Sequence, residues 1–275
     1  AGAMSVWTEG GDERLLELQQ GLPSPDRETE IPVYDYRDGY FDVPAAGSIY
    51  ILTHVSNHRH ARGGIYGSVD LGTASSIDRA ELELNIVSGA TFGILVIIAL
   101  YHFILFFIRQ EDTPSLTFAF FCAAMAMREG SMAYWFESLG VGWSGQGYEW
   151  LRTIEYSSLP FGVLCCSLFI EAMVPNRLHR RFILVWSVGF GLVLCGFTLL
   201  TEALTFSHYI GVYYLHIAVA ISVAIGFLIR QSVTGNKLAR WVLLAISIVA
   251  LGITNDILHN QNTIQTGFIT PYTFM

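Results

Sequence analysis

Six strongly apolar stretches lie between Leu84 and His259, and the Lys and Arg residues joining them fall on alternate connections. Few other patterns restrict a fold so tightly. A helix needs roughly 20 mostly apolar residues to cross a hydrocarbon core of about 30 Å. The stretches read as spans are about 85–108, 115–136, 151–174, 182–201, 207–229 and 240–259. Arg109 follows the first, Arg177, Arg180 and Arg181 follow the third, and Arg230, Lys237 and Arg240 follow the fifth. The connections around 137–149, 202–206 and 260–266 contain neither Lys nor Arg. Cytoplasmic loops are the ones enriched in these residues. The block before Leu84 is therefore placed outside, and the first span runs inward. Residues 267–275 read as the start of a seventh span. The chain opens at Ala1 and stops mid-pattern, so it is expected to be a fragment at both ends.

Residues 1–80 differ in character, being polar and acidic with six Lys/Arg against twelve Asp/Glu. No basic block is long enough to follow a nucleic-acid backbone, and the net charge is −8, which excludes nucleic-acid binding. The arginines at 177–181 read as the inward-facing topology signal, with contact to anionic membrane lipid. All four cysteines (Cys122, Cys165, Cys166 and Cys195) lie inside spans, where thiols act as small hydrophobes and report nothing about redox compartment. No signal peptide or internal repeat stands out, and the lack of a repeat disfavours transporters built from duplicated halves.

Short β-branched or aromatic runs bounded by Gly, Pro and Asp place strands at Val6–Thr8, Ile31–Tyr36, Tyr40–Val43, Ser48–Ser56 and Gly64–Leu71. Asn57–Gly63 suits a hairpin connector, and Val6, Leu15, Leu16 and Leu18 supply part of a core. Eighty residues make only a small sheet domain, so the tail of a β-sandwich is expected. The expected organisation is 1–76 for that outer domain, 77–84 for a short joint rich in helix formers, and 85–275 for the membrane region.

Charges inside spans are expensive and usually face a bundle interior or a wet cavity. Arg128 and Glu129 lie about 14 residues, or about 21 Å, into the second span, in its outer third. Arg152 and Glu155 open the third span, and Asn255 and Asp256 lie near the outer end of the sixth. Five charges from three helices thus converge on one outward layer. They make either a polar mouth that binds a small ligand or couples to the outer domain, or a set of structural ion pairs between helices.

His54, His58 and His60, with Arg59 and Arg62, form a His-rich connector. His54 and His58 have the HxxxH spacing of membrane di-iron enzymes, but that spacing binds metal when both lie on one helix face. Here the first belongs to a strand and no carboxylate cluster or second histidine box accompanies it. Asn57, His58, His60 and Arg62 are therefore read as a solvated or ligand-contacting loop, with no metal. Gly89 and Gly93 form a GxxxG, as do Gly189 and Gly196 a wider pair, read as packing inside the bundle with homodimerisation as the alternative. Pro160 is expected to kink the third span, while His102 and Glu171 near inner ends can snorkel. No GxSxG, HExxH or Ser–His pair is present, so no catalytic residue and no cofactor is assigned.

Three stretches resemble one bacterial family, the seven-transmembrane receptors with diverse intracellular signalling modules. EIPVYDYRDGYFDVP followed by SIYILTHVSNHRHARGGIYGSVDLG resembles the end of that family's extracellular jelly-roll domain. FGILVIIALYHFILFFIRQEDTPSLTFAFF resembles its first helix pair, and NDILH its NDILY-like segment, with His259 standing where Tyr is expected. The resemblance covers nearly the whole chain. It implies an inner-membrane receptor whose jelly roll senses a small or carbohydrate-like ligand and whose cytoplasmic output is a cyclase, kinase or phosphatase domain. Asn57, His58, Gly63 and Gly64 match the family's SN…GG turn.

The resulting expectation is a membrane all-α helical bundle of six complete transmembrane helices and the start of a seventh, preceded by a partial extracellular β-sandwich of jelly-roll type. Its role is signal transduction, not catalysis. The competing classes are a transporter or channel, which predicts charges at the bilayer midplane, and a histidine-box membrane enzyme, which predicts bound metal.

Overall fold

The computed structural model describes residues 1–8, 13–33, 38–44, 47–61, 69–132, 146–261, 263–264, 266, 269–270 and 273. The chain forms two compact units. The first comprises Ala1–Ile86, Tyr134–Thr153 and Thr201–His208, the second Val87–Ala133, Ile154–Leu200 and Tyr209–Met275.

The first unit is built on an antiparallel sheet of β1 (Gly2–Thr8), β2 (Arg14–Gln20) and β3 (Ile49–Val55), in the order β2-β1-β3. Val6 sits in the central strand opposite Leu16 and Ile51 and is 1% exposed. The register shifts between Val6 and Trp7, and Arg14 comes to lie over the Trp7 ring, 5.8 Å from its centroid. Bulges of this kind bend and twist a strand. Val6–Thr8 and Ser48–Ser56 thus fall on real strands. β2 was not expected: RLLELQQ is made of helix formers, and pairing with β1 overrides that preference. Tyr40–Val43 forms no strand. The Tyr40 hydroxyl instead donates to Asp78 Oδ1 at 2.5 Å. From Ile31–Tyr36 the described residues give only an isolated bridge between Ile31 and Leu22, with 34–37 outside the described residues. Of Gly64–Leu71 and its hairpin, 62–68 also lie outside them. The described sheet therefore has three strands.

Two further segments complete this unit. The Ala61 N–H donates to Ser207 Oγ at 2.9 Å, and Arg27 pairs with Glu202. Glu149 Oε2 accepts the Ala203 N–H at 2.8 Å, and Phe206 beside them is fully buried.

Among the described residues, the sheet is followed by the α-helices α1 (Ala74–Ile108), α2 (Thr113–Met132), α3 (Gln146–Met173), α4 (Arg177–Phe182), α5 (Gly191–Leu200), α6 (Ala203–His208), α7 (Ile210–Val233) and α8 (Lys237–Asn260). Between α4 and α5, Ile183–Phe190 is π-helical, and the three pieces run without a break. Caps mark the ends. Asp112 accepts from the N–H and hydroxyl of Ser115 at the start of α2, Asn176 caps α4, and Asn236 caps α8 through the Ala239 N–H. Gly235, at φ +95°, supplies the left-handed residue that closes α7.

Among the described residues, five helices are long and apolar enough to cross a membrane: Ala74–Ile108, Gly147–Met173, Arg177–Leu200, Ile210–Val233 and Lys237–His259. The expected second span is helical as α2 but is not one of these five. Arg128, Glu129 and its Ser and Thr residues dilute its apolar character, and 133–136 lie outside the described residues. The expected joint 77–84 is helical and belongs to α1.

Within the second unit, Ile170 and Val174 pack with Ala224, Leu228, Ala239 and Val242. Leu95 and Ala99 pack with Cys122 and Ala126. A side chain added at Gly93 or Gly196 would meet nothing within 4 Å, so neither glycine makes the close internal contact expected of it. Pro160 sits buried within α3, which continues through it.

Candidate functional site

In the second unit, three of the charges expected to form one layer lie around Glu129. Its Oε1 accepts a hydrogen bond from Ser88 Oγ of α1 at 3.0 Å, and its carboxylate lies within electrostatic reach of Arg128 and Asp256. Helices α1, α2 and α8 each contribute. Arg128 Nη1 is buried and has no hydrogen-bond partner among the described residues. A guanidinium N–H can only donate, so this atom is suited to an oxygen acceptor.

Asp256 is engaged on its other side. Its Oδ1 accepts from the Ile269 N–H at 2.6 Å, and its Oδ2 from the Thr270 N–H at 3.1 Å. Asn255 Nδ2 donates to Asp256 Oδ1 at 3.2 Å, while Asn255 Oδ1 accepts from the Thr266 hydroxyl at 2.8 Å. The Asn–Asp pair thus ties down the chain that follows α8, a role the sequence pattern did not announce.

Arg152 belongs to the first unit, where its guanidinium lies 5.5 Å from the centroid of the Tyr148 ring. Glu155 belongs to the second, and its backbone carbonyl accepts from Ser158 Oγ at 2.6 Å. Of the expected outer layer, Arg128, Glu129 and Asp256 are therefore brought together within one unit.

The loop candidates form a turn in the first unit. Asn57 Oδ1 accepts the N–H groups of Arg59 and His60 at 3.2 and 3.0 Å. His58 is held from both ends, its N–H donating to Glu30 Oε2 at 3.0 Å and its Nε2 lying 3.1 Å from the Ser24 carbonyl. Glu30, 4% exposed, also accepts from Ser56 Oγ at 2.7 Å. Burial pushes the Glu30 carboxyl up, but the Ser56 and His58 bonds and the nearby positive charge outweigh it and hold it below its ordinary value. His58 is a fastening of this turn. Arg62 lies outside the described residues. No group of three or more His, Cys, Asp or Glu that could hold a metal occurs among the described residues.

Two buried histidines escaped the sequence reading. His179, 4% exposed, sets Nδ1 3.1 Å from Glu171 Oε2, so Glu171 is partnered inside the protein and does not snorkel. His216, 0% exposed, lies among Trp186, Phe190 and Gly191 in the apolar run of the fifth span. The signal that could have found it is the small and polar stripe at Ser187, Gly191, Cys195 and Thr198, whose helical spacing marks a face turned toward other helices.

The profile of one family, described as 7TM diverse intracellular signalling, matches residues 84–275, most of the chain. No curated protein and no solved structure matches it.

Proposed function

Since the chain belongs to the 7TM diverse intracellular signalling family of multi-pass membrane signalling receptors, we propose that it senses a ligand outside the cell and passes the change through its helices to a cytoplasmic output module beyond the sequence given. In this reading it is a bacterial inner-membrane receptor with its N-terminal domain outside. Its α2 is the second of seven spans, and the three-stranded sheet is part of a jelly roll. The chain binds rather than catalyses, and its partners are membrane lipid, a small or carbohydrate-like ligand and a second copy of itself.

The observation that carries the orientation is the make-up of the first unit. The N-terminal sheet folds together with 146–153 and 201–208, which adjoin two connections that lack Lys and Arg. Segments that the charge rule puts on one face of the membrane are thus gathered in one folded unit. The observation that favours sensing over transport is that Glu129, Arg128 and Asp256 are grouped toward the predicted outer ends of their helices, away from the midplane where transported substrates bind.

Purified chain in lipid nanodiscs, titrated with neutral mono- and oligosaccharides and followed by tryptophan emission, tests this. Saturable binding that Arg128→Ala weakens supports the receptor reading. Solute flux through the same protein in liposomes, or stoichiometric bound iron or zinc, overturns it.

A further inference from the structure

The second unit contains a polar seam that the signalling role above does not use. It joins the third, fourth and fifth spans by rungs at different depths. Ser167 Oγ and Ser187 Oγ are 3.0 Å apart, Cys195 Sγ donates to the Ser157 carbonyl at 3.9 Å, and the Tyr213 hydroxyl meets Thr198 Oγ1 at 2.5 Å. Thr198 Oγ1 already donates to the Leu194 carbonyl at 2.8 Å, so the Tyr213 hydroxyl is the donor in that last rung.

His216, on the fifth span with Tyr213, makes no such rung. It is fully buried, and neither Nδ1 nor Nε2 has a hydrogen-bond partner among the described residues. A neutral imidazole carries one donor and one acceptor, and buried polar atoms in native proteins are almost always paired with protein or ordered water. The ring is not free to turn toward other partners. Trp186 and Phe190 stand against it at centroid distances of 5.8 and 5.5 Å, and the Trp186 indole N–H donates to the His216 backbone carbonyl at 3.4 Å.

Held in this way, Nε2 lies beside Gly191, where the fourth span has no side chain. A Cβ built on Gly191 would lie 3.7 Å from His216 Nε2 and 3.8 Å from the Pro160 carbonyl oxygen. The space beside Gly191 is therefore bounded by polar atoms from two other helices, at contact distance from a single small group. The π-helical turn Ile183–Phe190 ends at Gly191, and such turns are frequent where a helix serves a site.

We propose that one buried water molecule binds beside Gly191, hydrogen-bonded to His216 Nε2 and to the Pro160 carbonyl oxygen, and links the third and fifth spans across the fourth. Water is the occupant whose chemistry fits. It donates to the carbonyl while donating to or accepting from the imidazole, and two polar partners are the minimum a buried water requires. A cation would meet Trp186, Phe190, Gly191 and Pro160, none of which is charged. An apolar group would leave the imidazole nitrogen without a partner.

The test compares Gly191→Ala in two backgrounds, in the detergent-solubilised chain. In the natural background the added methyl displaces the water, and the thermal unfolding midpoint falls by about 2–4 °C, as a lost buried hydrogen bond would cause in a chain of this size. Combined with His216→Phe, which replaces the imidazole by an apolar ring, the same methyl leaves the midpoint unchanged or raises it, because Ala is the better helix former. Equal shifts of either sign in the two backgrounds overturn the proposal. Should Gly191→Ala fail to fold, the natural chain labelled with 15N-histidine decides. Magnetisation transfer from water to the nitrogen whose signal vanishes in His216→Phe supports the site, and its absence overturns it.

Discussion

The His179 imidazole lies flat on the Phe227 ring, with centroids 4.4 Å apart and planes 3° from parallel, while its Nδ1 sits 3.1 Å from Glu171 Oε2. One side chain thereby joins the connection after the third span to the helix of the fifth. Glu171 secures the same connection a second time, because its Oε1 accepts the Asn176 N–H at 3.2 Å. Asn176 in turn caps α4 by accepting from the N–H groups of Leu178 and His179. The connection that holds Arg177, Arg180 and Arg181 is thus anchored by a carboxylate and a histidine.

Glu171→Ala removes the acceptor of two largely buried donors and is expected to cost about 1–3 kcal/mol. Glu171→Gln keeps an amide oxygen and costs less. Thermal unfolding in detergent measures both, and equal stability of Glu171→Ala and the natural chain would refute the assignment.

Acid should act on the first unit through Glu30. Its carboxyl is held below its ordinary value in the folded chain, so folding favours the ionised form. That contribution is complete above the unfolded glutamate value of about 4.3 and is lost as pH falls through the folded value. Glu30→Gln should therefore flatten the acid limb of the stability curve below about pH 4.3 while leaving its slope at higher pH alone. Urea midpoints recorded on both sides of about pH 4.3 supply the comparison, and parallel curves would count against the role of Glu30.

Asp256→Ala frees the Ile269 and Thr270 amides that its two oxygens accept. Hydrogen exchange at those amides should accelerate about tenfold, corresponding to about 1.4 kcal/mol of lost local protection. Asn255→Ala, which loses the Thr266 hydroxyl but leaves the carboxylate, should accelerate them far less. The reverse order would show that Asn255, not Asp256, is the anchor.

The Arg27–Glu202 pair fastens 201–208 to the sheet, and both side chains are partly exposed. A double-mutant cycle with Arg27→Ala and Glu202→Ala should return a coupling of only about 0.2–1 kcal/mol. At 1 M salt, where screening acts within about 3 Å, the coupling should vanish. A larger, salt-independent value would mean that the pair is more deeply enclosed than its exposure indicates.

Five of the expected spans were legible because lipid imposes one requirement, apolar length, that a linear sequence states directly. Arg109, Arg230 and Lys237 mark the alternation on their own. The sheet was less legible. Leu15, Leu16 and Leu18 read as core, yet Arg14–Gln20 gave no strand signal, since its edge-strand geometry comes from pairing with β1 and not from its own residues. Within the expected outer layer, depth along each helix assigns Arg128, Glu129 and Asp256 to one level. Depth says nothing about azimuth or partners, so the bonds from Ser88 and from the Ile269 and Thr270 amides were not foreseeable. His216 was passed over for a related reason. A histidine among Val, Leu and Ile looks the same in sequence whether its nitrogens are satisfied or not.

The π-helical turn at Ile183–Phe190 also changes how the fourth span can be compared with its relatives or redesigned. Each residue accommodated by such a turn rotates everything beyond it by roughly 100° relative to an uninterrupted α-helix. A single helical wheel drawn from Arg177 to Leu200 therefore misassigns one half or the other. Removing one residue from the turn is the substitution-free way to re-aim Gly191, Cys195 and Thr198 away from the neighbours they now face.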